Sequence, residues 1–188
     1  MPQIVQGFSV AQPVEVVWKF FQDVPQVAAC MPGVELLDSL SEDSYAGEMK
    51  VKLGPINAQF EGRAVIENLI ETSHTGTISA KGADRQGGSR ASAKVNYSLS
   101  TSGTGTKVEI VADITLQGAM AQFGRTGLIN EVSGQLAQEF ADCIEAKLGA
   151  TTPEAAAEVM AGEVKGFSVF LKGLWAWLKS AFRSKKTS

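Results

Sequence analysis

The chain is poor in the residue types that most side-chain chemistry needs. One histidine, His74, occurs in 188 residues, and the two cysteines, Cys30 and Cys143, show no CxxC spacing. That excludes a zinc finger or ribbon. Two cysteines give no disulfide framework, so a reducing cytoplasm is the expected setting, with Cys30 buried as a small hydrophobe. No glycine-rich phosphate loop opens a helical pattern, and no Ser-His-Asp set can be built around one histidine at a turn, where a surface position is expected. No run approaches 18 apolar residues, so no helical membrane span is expected. The stretch "MPQIVQGFSV" lacks the charged-then-apolar order of a secretory signal. Acidic residues are missing from the end of the chain, all 20 lying at or before Glu163. Up to that point they face eleven basic residues, a net −9, while the remainder carries six basic residues, a net +6. An acidic body without basic and aromatic residues interleaved excludes nucleic acid as a partner. The expectation is a binding protein with no metal ligands, not an enzyme.

What is present is a strict order of hydrophobic periods. Residues 3–10 alternate as a strand. Val14, Val17, Trp18 and Phe21 share one helical face after Pro13, and "PQVAACM" predicts a second short helix before Pro32-Gly33. From Glu35 to about Gln117 the period is two, in about six segments separated by turns such as "DRQGG" and "TSGTG". Near Ala121 it returns to 3.6, with Ile129, Val132, Leu136, Phe140, Ile144 and Leu148 forming one stripe that ends at Gly149. This order predicts an α+β helix-grip domain over residues 1–149, a curved antiparallel sheet wrapped around a long C-terminal helix. A linker, 150–163, and a C-terminal amphipathic helix, 164–188, follow.

The strand faces predicted to point inward are small: Gly47, Ala58, Gly62, Ala64, Gly76, Ala80, Gly82, Ala91, Ala93 and Ala112. Either the long helix sits close and fills the space, or an apolar hollow remains between helix and sheet, the reading favoured here. Its expected lining is Trp18, Met31, Met49, Phe60, Ala93, Tyr97, Met120, Phe123, Ile129 and Leu136. Asn130 and Ser133 could orient a polar head group or be ordinary helix-surface residues. Glu61 and Arg63 fall on the opposite strand face and are expected to form a surface pair.

On a helical wheel the tail's Lys165, Lys172, Lys179, Arg183 and Lys186 fall within roughly 60°. Phe167, Phe170, Leu171, Leu174, Trp175, Trp177, Leu178 and Phe182 occupy most of the other side. A lysine stripe is costly in hydrocarbon but suits a helix lying in the membrane interface, where each cation near anionic lipid contributes about 1 kcal/mol. The competing readings are a tail folded over the mouth of the hollow and a tail paired with another chain. The all-basic polar face favours an anionic membrane.

Three stretches, "AACMPGVELLD" at Ala28–Asp38, "LGPINAQFEGRAVI" at Leu53–Ile66 and "GAMAQFGRTGLINEVSGQLAQEFADCI" at Gly118–Ile144, resemble the carbon monoxide dehydrogenase G-subunit family of the START-like (SRPBCC) helix-grip superfamily. The resemblance covers roughly residues 2–148 and rests most on Cys30, Pro32 and Gly33 with Pro55, Phe60 and Gly62. It implies a place in carbon monoxide oxidation, with carbon monoxide dehydrogenase or a related molybdenum hydroxylase as partner, at the cytoplasmic face of the cell membrane. Joined to the hollow and the tail, it implies a protein that recruits the dehydrogenase and carries a respiratory quinone, menaquinone or ubiquinone, or another isoprenoid lipid. The alternatives are a membrane anchor or assembly factor without a ligand and, less favoured, a START-like enzyme.

Overall fold

The computed structural model describes residues 3–53, 56–85, 88–125 and 128–150. The tail, with its membrane-facing residues from Phe167 to Arg183, and the linker beyond Ala150 lie outside them. Seven strands are described: β1 (Gln3–Val10), β2 (Val34–Ser41), β3 (Ser44–Leu53), β4 (Ile56–Ile70), β5 (Thr75–Asp84), β6 (Ser89–Ser102) and β7 (Gly105–Gly118). They form one antiparallel sheet in the order β1-β7-β6-β5-β4-β3-β2. The helices are α1 (Val14–Gln22), α2 (Val24–Cys30) and the long α3 (Leu128–Gly149). The predicted α+β helix-grip class is the observed one.

Local sequence explains the entry into each helix. Pro13, with φ near −56°, stands at the N-cap of α1 and presets the turn. The Asp23 carboxylate accepts the Gln26 amide at 3.2 Å and opens α2, with Pro25 in its first turn, where the missing N–H is no loss. The apolar face read for α1 is buried: Val14, Val17, Trp18 and Phe21. Beyond β7 the chain makes a 3-10 stretch, Ala119–Arg125, before α3. The predicted period change near Ala121 falls inside that stretch. The reason lies at Gly118, in the left-handed region (φ 71°), which turns the chain so that the Met120 amide meets Ser89 Oγ at 3.2 Å.

The interior is divided. The largest cluster joins α1, α2, the ends of β6 and β7, and the C-terminal half of α3, around Val17, Trp18, Tyr97, Val108, Phe140 and Ile144. A second holds Ala58, Phe60 and Met120, with Val132 against it. A third holds Ile4, Ala112 and Ile129.

One expectation is overturned in the first cluster. Cys30 and Cys143 are joined as a disulfide, 113 residues apart in sequence, with Cα atoms 5.5 Å apart. Both are buried, and the bond ties the end of α2 to α3. Nothing local signals the pairing. It exists because α2 and α3 pack against each other in the same buried cluster. The expectation of a reducing cytoplasm rested on unpaired thiols, and that premise does not hold.

Candidate functional site

The register fixes which strand residues look toward α3. Ala58 and Phe60 of β4 and Ala112 of β7 are buried with Met120 and Ile129, so the even-numbered positions of these strands face the helix. Cross-strand pairing then aligns two rows of small residues on that face. One runs Gly47–Gly62–Gly82–Ala91. The next runs Tyr45–Ala64–Ala80–Ala93–Ile114. Ala64, Ala80 and Ala93 are only half-buried and stand outside all three clusters. Met49, Ile66, Ile78, Val95, Val132 and Leu136 around them are half-buried too. These residues leave apolar surface on the helix side that none of the three clusters packs away.

The residues predicted to line a hollow fall into different parts of this face and its clusters. Phe60 and Met120 are packed together in the second cluster, with Met49 paired across from Phe60. Ile129 is packed in the third cluster, and Ala93 lies in the alanine row. Trp18 and Tyr97 belong to the large cluster at the other end, with Met31 packed against it. The side chain of Phe123 lies outside the described residues. Asn130 does not face inward: it is exposed, and its carbonyl accepts a bond from Gln6 Nε2 at 3.5 Å. Ser133 is half-buried, but its hydroxyl donates to the Ile129 carbonyl at 2.6 Å, one turn back, and is spent on the helix. Neither holds a free group toward the interior.

The polar groups at that end belong to Trp18 and Tyr97, predicted as lining, and to His74, predicted at the surface. Trp18 is 4% exposed, and its Nε1–H is buried with no hydrogen-bond partner among the described residues. Its ring lies 6.4 Å from Tyr97 and, edge-on, 5.4 Å from His74. Burial pushes the Tyr97 hydroxyl up to about 12, so it stays a neutral donor. His74 is therefore half-buried against Trp18, not on the surface as predicted, with φ 48° at the turn into β5. The signal that could have found this site is Gly76: a side chain there would overlap the Tyr97 ring, so only glycine lets the tyrosine lie flat across β5.

On the opposite face Glu61 bonds to Arg85 (3.6 Å), not to Arg63 as predicted. The strand places Glu61 and Arg63 on one face, but Arg85, after β5, reaches Glu61 and Glu48 together. Among the described residues no three His, Cys, Asp or Glu side chains converge as a metal site requires. No helix among them is long and apolar enough to cross a membrane.

Residues 7–149 match the family of the carbon monoxide dehydrogenase G subunit, CoxG. The chain belongs to that family. No curated protein sequence matches the chain. Solved structures share the fold of this CoxG-family chain at low identity. A conserved protein from Geobacillus kaustophilus superposes with TM-score 0.69 at 15% identity, over 79% of this chain and 95% of that one. A Mycobacterium smegmatis protein gives 0.56 at 19%, over 80% and 92%. An aromatase/cyclase from a Streptomyces species gives 0.55 at 13%, over 78% and 95%. These likenesses establish the helix-grip fold, which the CoxG family shares with proteins of different function.

Proposed function

We propose that this protein carries an apolar, carbonyl-bearing ligand, a respiratory quinone such as menaquinone or ubiquinone, and that it recruits carbon monoxide dehydrogenase or a related molybdenum hydroxylase to the membrane. The observation that carries the reading is the alanine row Ala64–Ala80–Ala93, half-buried on the helix side between three separate clusters. An apolar ligand replaces the missing side-chain volume there and removes that surface from water, at about 25 cal/mol per Å². The buried Trp18 N–H and the protonated Tyr97 hydroxyl are donors suited to a quinone carbonyl, which accepts without bringing a charge. Family membership supports the dehydrogenase as partner. The aromatic and basic tail supports peripheral attachment to anionic lipid.

Native mass spectrometry with lipid extraction, on protein purified gently from its own membranes, tests the carrier. A stoichiometric isoprenoid quinone is expected, lost in Ala80→Phe while the protein stays folded. An empty wild-type protein that still binds anionic vesicles overturns the carrier and leaves an anchor.

A further inference from the structure

The face of the sheet turned away from α3 has a hollow of about 600 Å³. Its middle is the backbone of Gly62, Gly82 and Ala91, whose row presents no side chains on this side. The rows on either side supply the walls. In one, Arg63 of β4 stands directly opposite Lys81 of β5. Arg90 of β6 lies diagonally from Lys81, two residues along from its partner Ser92. All three cations line the hollow, and among the described residues none forms an ion pair.

That arrangement is unfavourable as it stands. Like charges directly opposite on neighbouring strands destabilise a sheet. One carboxylate, Glu61, lines the hollow too and is paired with Arg85 (3.6 Å), while the nearby Glu67 is engaged by Lys94 (3.0 Å) and the Ser79 hydroxyl. Glu67 feels the charge of Lys81 without bonding to it. The body as a whole is strongly acidic, so three unpaired cations gathered at one hollow run against its average field.

We propose that the outer hollow is a binding site for a phosphoryl-bearing small anion, held by Arg63, Lys81 and Arg90. A carboxylate would neutralise one of three charges. A phosphate monoester brings about −1.5 to −2 and three acceptor oxygens, which two guanidinium forks and an ammonium match. Ser92, Thr115 and Gln117 add neutral donors, and Leu40, Ala46 and Ala83 offer an apolar wall for an organic body. The volume lies in the range of small-molecule sites. The phosphoryl group could belong to a free metabolite or to a lipid head group, which share this chemistry.

The test is an amide NMR titration of the full-length chain with inorganic pyrophosphate and, separately, with a short-chain phosphatidylglycerol below its micelle concentration. Saturable shifts are expected at Gly62, Gly82 and Ser92, weakened about tenfold by Arg63→Gln. The basic tail contributes equally in both proteins and does not report at these amides. Pyrophosphate is expected to raise the melting temperature of the wild type but not of Arg63→Gln, and the ligand-free variant is expected to be no less stable than the wild type. Tighter binding of the lipid identifies a head group; equal or tighter binding of pyrophosphate identifies a free phosphorylated molecule. No localised saturation with either probe, or saturation that Arg63→Gln leaves unchanged, overturns the site. Failure here leaves the inner-face carrier reading intact, because the two sites lie on opposite faces.

Discussion

At the scale of single residues, the fit is decided by absent side chains as much as by present ones. Gly76 has no conformational peculiarity; it is glycine because the Tyr97 ring occupies the place of a Cβ. Gly76→Ala is expected to displace that buried ring and to cost about 1–3 kcal/mol, read by urea unfolding. Glu48 shows what one carboxylate gains from its neighbours. The Lys50 ammonium at 2.9 Å, the Gln59 amide at 2.8 Å and Arg85 hold its carboxyl below the ordinary 4.5. A depressed folded-state pKa contributes stability that is present above the unfolded value and lost as pH falls through the folded one. Melting temperature is therefore expected to fall below about pH 4.5, and Glu48→Gln to flatten that part of the profile. An unchanged acid limb would remove Glu48 from the account.

At the scale of elements, the sequence was most readable where one face is wet. Strands β3 and β4 alternate so regularly that their inward sets, Met49 and Val51, Ala58 and Phe60, followed from the period of two, and the observed pairing Met49 to Phe60 and Val51 to Ala58 keeps them together. The stripe of α3 was legible for the same reason, Ile129, Phe140 and Ile144 all being buried. Asn130 and Ser133 were not, because one step around a helix moves a side chain by about 100°, from the wall of a hollow to solvent or onto the backbone. The link from α2 to α3 belongs to this scale too. Closing a loop of 113 residues by a disulfide restricts the unfolded chain, which for loops of about 100 residues is worth roughly 4–5 kcal/mol. The double variant Cys30→Ala, Cys143→Ala is expected to lose about 2–5 kcal/mol in denaturant. Intact mass before and after reduction checks the bond directly.

At the scale of the molecule, charge is segregated as well as hydrophobicity. The first 163 residues carry −9 and the rest +6, so the body is repelled by the anionic surface that attracts the tail. Removing residues 164–188 is expected to abolish binding to anionic vesicles while the melting temperature of the body stays unchanged. For the full chain, raising salt from about 0.1 to 1 M shortens the screening length from about 10 to 3 Å and should weaken binding strongly. Salt-insensitive binding would assign the attachment to the aromatic residues alone.

Local periods and composition were enough for the class of fold, the order of its elements, the small-residue inner face and the charge split, because no distant contact can change any of them. Three meetings needed the folded domain: Cys30 with Cys143, the unpartnered Trp18 N–H with Tyr97, and Arg85 with Glu61 in place of Arg63. So did the alignment of Arg63, Lys81 and Arg90 around the outer hollow. Each joins residues remote in the chain. They depend on sheet register and helix crossing, which the packing of the whole domain sets.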